Sequence, residues 1–235
     1  MAFPAFPVLT HVELEALRLS LWVSSWSVVV SLPLGILAAW VLARLRFPGK
    51  ALVDGVIHLP LVLPPVVVGY LLLILFGRRG VLGALLYETL GITVAFTWKG
   101  AAMASAVMSF PLLVRAVRLS LEAVDRGLES AARTLGAGPV RVFFTVTLPL
   151  VVPGVIAGSI LAFAHSLGEF GATITFVSNI QGQTQTLPLA LYTLTQIPGG
   201  ERAAMRLCVI AIGLGMAALV ASEYLARRLA ARMKG

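Results

Sequence analysis

LEAVDRGLESAARTLGAGPVRVFFTVTLP, residues 121–149, is the stretch on which the reading of this chain turns. It is polar enough to leave a bilayer and lies between two apolar runs. Leu121, Val124, Leu128, Ala131, Ala132 and Leu135 recur every three or four positions, which predicts an amphipathic helix. Gly136 and Gly138 are placed to end it, and Pro139 suits the first turn of a second helix. VRVFFTV continues that second helix, and Pro149 marks the return to the membrane. By pattern, such an elbow is either an interfacial packing element or a docking surface.

Outward from the elbow the chain is apolar. Of its 235 residues 59% are hydrophobic and 12% charged, against about a quarter charged in soluble domains. A bilayer core of roughly 30 Å needs about 20 apolar helical residues. Spans are predicted over residues 17–43, 53–76, 101–117, 147–167 and 207–225, with an extension of the third back through ITVAFTW as an alternative start. The fold class is therefore an all-α integral membrane protein of about five transmembrane helices. No repeat, low-complexity tract or appended soluble domain is visible, so residues 1–235 read as one membrane domain with a loop over 118–146. The tail ARRLAARMKG, 226–235, is too short to fold alone. The N-terminal sequence lacks a basic n-region and a cleavage site, and the first apolar run is expected to be retained.

Five spans put the termini on opposite sides. With the N-terminus outside, the cytoplasmic set is Arg44, Arg46, Lys50, Arg115, Arg118, Arg126, Arg133, Arg141, Arg227, Arg228, Arg232 and Lys234, twelve of 18 basic residues. This bias favours N-out, C-in. It also accounts for the net charge of +8 without nucleic acid, since no aromatic-interleaved basic patch is present. Arg78, Arg79 and Lys99 fall in an outer loop, as interfacial anchors or as a vestibule attracting anions. The single cysteine, Cys208, lies in an apolar run and has no internal disulfide partner.

The elbow resembles the coupling loop of membrane subunits of ATP-binding-cassette (ABC) importers. That signature runs Glu-Ala-Ala, three residues, Gly, nine residues, Ile, one residue, Leu-Pro. Here Ala131 and Ala132 lead to Gly136, and Val146, Leu148 and Pro149 follow in register. Ser130 occupies the Glu position, with Glu129 one place earlier. The resemblance implies a type I importer transmembrane fold with a cytoplasmic coupling helix seated on an ATPase. Glu129, Ser130, Ala131, Ala132, Gly136, Gly138, Val146, Leu148 and Pro149 would form the coupling region. With Ser in the Glu position, docking should rest on shape and backbone fit rather than one fixed ion pair. The chain has no phosphate-binding loop, so ATP and Mg belong to the partner ATPase, and no cofactor or metal is expected here.

Other segments, among them FPGKALVDGVIHLPLVLPPVVVGYLLL, MSFPLLVRAVRLSLEAVD and the long run from Ala162 to Glu201, resemble bacterial molybdate permeases. Ser166–Ala172 is similar to sulfate permeases as well, leaving sulfate and tungstate as alternatives. The resemblance implies an inner-membrane homodimer with two ATPase subunits and a periplasmic molybdate-binding protein. Ser166, Gly168, Glu169, Phe170 and Gly171 are pore or gate candidates, and Arg78 and Arg79 vestibule candidates. The same serines and glycines also suit helix packing, and Glu169 also suits an interfacial position. His165 has no metal-ligand partner at suitable spacing. An ion-coupled secondary transporter would be expected to show repeats and intramembrane ionisable groups. A membrane enzyme would need a nucleophile–base pairing that the chain does not display.

Overall fold

The structure, a computed structural model, describes residues 9–232. The first eight residues and Met233–Gly235, with Lys234 of the basic tail, lie outside the described residues, as do the side chains of Arg227 and Arg232. The described residues are helical, with no strand. Helix α1 spans His11–Arg44, α2 Lys50–Val62, α3 Pro65–Phe76, α4 Val81–Leu90 and α5 Trp98–Ala123. Then come α6 (Arg126–Thr134), α7 (Pro139–Val142), a π-helical turn (Phe143–Thr147), α8 (Leu148–Leu167), α9 (Gly171–Val177), α10 (Leu187–Thr195) and α11 (Glu201–Arg232). Among the described residues, four helical rods are long and apolar enough to cross a membrane: α1, α5, α7 through α8, and α11. The bent pair α2–α3 makes a fifth crossing if counted as one span.

Helix α1 begins six residues before the expected span. Thr10 and Glu13 form a capping box: the Glu13 N–H donates to Thr10 Oγ1 at 3.4 Å, and the Thr10 N–H to Glu13 Oε2 at 2.7 Å. At 34 residues the helix is about 51 Å long, well beyond the hydrocarbon core. One face carries Ser20, Ser24, Ser27, Ser31, Gly35, Ala39 and Leu42, all buried; α1 packs on α5 and α8, and Ser20 Oγ accepts the Leu187 N–H of α10 at 2.6 Å.

The second expected span, 53–76, is broken. Its two halves meet at 114°. Pro64 supplies no N–H and holds Leu63 extended (φ −73°, ψ 144°), while Pro65 opens α3. The third span does not reach back through ITVAFTW. Thr97 caps α5 by accepting the Gly100 N–H at 3.4 Å, and Phe96 just before it has φ of 60°.

The predicted amphipathic helix over 121–135 is two pieces. Leu121 and Val124 are buried core residues at the end of α5 and the break after it. Asp125 Oδ1 then accepts the Gly127 N–H at 2.8 Å and starts α6. The predicted stop at Gly136 is present. Gly136 has φ of +86°, its N–H donates to Arg133 O, and the Ala137 N–H donates to Ala132 O, which together close a Schellman motif. Pro139 opens the next helix, so the fourth span begins inside what the loop 118–146 was expected to cover. That rod runs 29 residues from Pro139 to Leu167. Its π turn precedes Pro149: the Leu148 N–H bonds Phe143 O, five residues back, just ahead of a residue with no N–H to give. The fifth span also extends beyond 207–225, and α11 takes in the tail through Arg232.

Helix α5 lies at the centre, packed on α1, α8 and α9. One core cluster gathers Val23, Val68, Leu72, Ala104, Met108 and Phe176. A second gathers Leu42, Leu113, Val117, Leu121 and Val151. The short helices α4, α9 and α10 were not anticipated, because their apolar runs are too short to signal a span. Helix α9 crosses α3 where Gly69 lets the backbones meet: a Cβ there would lie 2.5 Å from Ala172 O and 2.9 Å from Ala172 Cα. Gly69→Ala is therefore expected to destabilise the fold by about 1–3 kcal/mol through overpacking, read as a lower thermal midpoint of the detergent-solubilised protein.

Candidate functional site

Two regions gather the predicted site residues. At the elbow, α6 buries none of its own residues. Leu128, Ala131 and Leu135, one face by their spacing, are exposed, Leu135 at 89%. Ser130, Gly136, Gly138 and Pro149 are exposed, whereas Ala132, Val146 and Leu148 are half-buried. The open surface of α6 thus presents apolar and small side chains that this chain does not cover.

Glu129 points the other way. Its Oε1 accepts from Arg44 Nη2 at 2.7 Å and from Thr147 Oγ1 at 2.8 Å. The side chains of Arg44 and Glu129 are only 10% and 13% exposed. Arg44 sits in the last turn of α1, where the helix dipole favours a cation. Trp40, one turn earlier, meets Phe143 of the π turn edge-on at 6.5 Å. Nearby, Arg118 of α5 donates from Nη1 to both Asp54 oxygens at 3.1 Å and from Nε to Glu122 at 2.8 Å. This second ion cluster fixes α2 to the end of α5.

At the other end of the rods Ser166 is buried, at 5% exposure. Its Oγ lies 2.6 Å from Ser27 Oγ of α1 and donates weakly towards Ser109 Oγ, 3.4 Å away on α5. The hydroxyls join three spans. Gly168 ends α8, and Glu169 follows at 6% exposure. Glu169 Oε1 accepts the Ala172 N–H at 2.8 Å, so this carboxylate caps the start of α9. Its Oε2 is 3.9 Å from His165 Nε2. Phe170 packs on Tyr192, with ring centroids 5.2 Å apart, and Gly171 lies against Pro65 at the break between α2 and α3. Arg78 and Arg79 are both exposed. Arg78 is engaged by Tyr87 of α4, which accepts a hydrogen bond at 3.2 Å and lies under the guanidinium at 4.8 Å.

A family model described as a binding-protein-dependent transport system inner membrane component matches residues 31–235. The chain belongs to that family. The permease is 66% identical to the molybdenum transport system permease protein ModB of Escherichia coli strain K12, over 94% of this chain and 96% of that one. It is 43% identical to the sulfate transport system permease protein CysW of Synechococcus elongatus, over 74% of this chain and 61% of the relative. Among solved structures it resembles a bacterial alginate ABC transporter in complex with a pentasaccharide-bound periplasmic protein, with a TM-score of 0.75 at 18% identity, covering 97% of this chain and 84% of that one. The fold is thus that of a type I ABC importer transmembrane domain, and the permease resides in the inner membrane.

Arg44, Thr147 and Ser27 were not singled out from sequence as site residues. Arg44 carried a signal only as an orienting charge, and Thr147 only as the spacer between Val146 and Leu148. The capping geometry of Glu169 gives a direct test. Glu169→Gln keeps an acceptor for the Ala172 N–H and is expected to leave the thermal midpoint of the permease unchanged. Glu169→Leu removes the acceptor and should cost roughly 1 kcal/mol or more of stability, seen as a lowered midpoint.

Proposed function

We propose that the permease conducts molybdate through a pore formed with a second copy of itself, driven by separate ATPase subunits and supplied by a periplasmic binding protein. The observation that carries the substrate is the 66% identity to a molybdenum permease across nearly both chains, against 43% over a shorter stretch to the sulfate permease. Physically, a dianion needs a path that holds it weakly enough to release it. Hydroxyl, glycine and apolar surfaces near the outer ends of α8 and α5 suit that requirement. Glu169 is buried and commits Oε1 to its helix cap.

The exposed face of α6 supports the ATPase part of the reading. Leu128, Ala131 and Leu135 form an apolar strip beside a tight glycine turn, which lets two backbones approach closely. ATP-driven closure of the ATPase dimer would push on this strip in each copy. The pore then alternates between outward and inward openings through unequal stabilisation of two states. The periplasmic ends of the rods would receive the oxyanion from its binding protein, with Arg78 and Arg79 lending positive potential to the entrance.

In proteoliposomes holding the permease with its ATPase, hydrolysis is expected to be stimulated most by binding protein loaded with molybdate. Stronger stimulation by the sulfate-loaded form would reverse the substrate assignment. Gly136→Val places a β-branched residue at φ of +86°, at a cost of about 1–2 kcal/mol in the turn. It should abolish molybdate uptake and weaken co-purification of the ATPase, whereas Ser130→Ala should leave both near wild type.

A further inference from the structure

Among the described residues, every side-chain hydrogen bond that leaves α6 for the rest of the chain ends on one atom, Glu129 Oε1. Arg44 approaches it from the last turn of α1 and Thr147 from the end of the π turn, so three segments distant in sequence share a single carboxylate oxygen. Packing does little to reinforce this joint, since α6 buries no residue of its own. A cleft of about 250 Å³ also opens beside it, lined by Trp40, Arg44, Arg126, Glu129, Phe143 and Thr147 among others. Arg44 Nε is buried without a partner. If the carboxylate left, Arg44 would therefore retain a charge in a buried place with its main acceptor gone.

Register explains the direction. Successive residues on a helix are turned by about 100°. Ser130, in the position where the importer signature has Glu, is exposed, and Glu129, one residue earlier, faces the membrane helices. The carboxylate is thus rotated away from the ATPase-facing surface of the elbow. It is held at the junction of α6 with the two rods that begin and end beside it.

We propose that Glu129 is a positioning residue that latches the coupling helix to α1 and α8 through Arg44 and Thr147. It carries displacement of α6 into the transmembrane rods and is not a docking contact for the ATPase. A push on α6 reaches α8 through Thr147 and α1 through Arg44, so both helices follow the elbow as one body. Without the latch, α6 swings on its two flanking turns, at Val124–Asp125 and Leu135–Gly138, and the rods are left behind. This inference rests on the ATP-driven permease reading above.

The test uses the complete transporter in proteoliposomes, measuring molybdate taken up per ATP hydrolysed, together with the amount of ATPase that co-purifies. Glu129→Ala, which removes the shared acceptor, and Arg44→Gln are each expected to lower uptake per ATP roughly tenfold while ATP hydrolysis continues and the ATPase is retained at wild-type stoichiometry. The exchanged pair, Arg44→Glu with Glu129→Arg, should recover most of the ratio. Single variants that keep the wild-type ratio, or that shed the ATPase, would overturn the latch, as would an exchange that recovers nothing. Should the single variants resist purification, Glu129→Asp and Thr147→Val give the milder comparison. A lowered ratio at unchanged thermal midpoint supports the latch, and an unchanged ratio in both removes it. A wild-type complex showing no ATP-driven uptake would instead sink the permease reading, and the latch with it.

Discussion

Backbone amides in a hydrocarbon core find no water, so each must be satisfied within the chain or be absent. The prolines of this permease show how that constraint shapes everything else. Pro64 and Pro65 withdraw two consecutive donors, and the second span folds at 114° there instead of continuing. Pro149 withdraws one, and the preceding turn widens into a π segment whose Leu148 N–H reaches back five residues. Both irregular points are covered by protein. Gly171 lies against Pro65, and Trp40 packs on Phe143 of the π turn. The breaks are where the short helices α9 and α6 attach, so the same constraint that disturbs the spans creates the places where non-spanning elements can dock.

Between the breaks, the rods are held by small and hydroxyl side chains rather than by bulk. Ser27 of α1 meets Ser166 of α8, which reaches Ser109 of α5, while Ser20 of α1 accepts the Leu187 N–H of α10. Each hydroxyl bond across such helices is worth little, about 0.6 kcal/mol on average. A seam of this kind can be re-made in a shifted register without stranding a charge. Ion pairs sit at the ends of the rods, where Arg44–Glu129, Arg118–Asp54 and Arg206–Glu13 fasten neighbouring elements. Weak contacts along the rods and strong ones at their ends suit a protein whose helices must move together at defined joints.

Much of this was open to reading from residues. Composition and run length pointed to about five crossings, since a span is a local property of about 20 residues, and the described residues hold four, with a fifth if the bent pair α2–α3 counts as one span. Gly136 and Pro139 placed the elbow because a left-handed turn and a missing donor are properties of single residues. Thr10 and Glu13 carried an equally local capping signal that a hydropathy reading passes over. The spacing rule erred at Leu121 and Val124, whose apolar character serves the core of α5, because periodicity cannot say which neighbour an apolar face is meant for. The candidates Ser166 and Glu169 were visible, but their surroundings were not. One proves to join three helices and the other to cap a fourth.

The sequence by itself determined the membrane class, the clustering of basic residues in particular loops, the polar elbow with its glycine turn, and the family to which these belong. All follow from patterns within a few tens of residues. Only the tertiary structure decided that Glu129 turns inward to Arg44, 85 positions away, and that Ser166 meets Ser27 across 139 positions. Such contacts depend on how whole helices cross and on which side of a 100° step a residue falls. Neither is written in any local stretch.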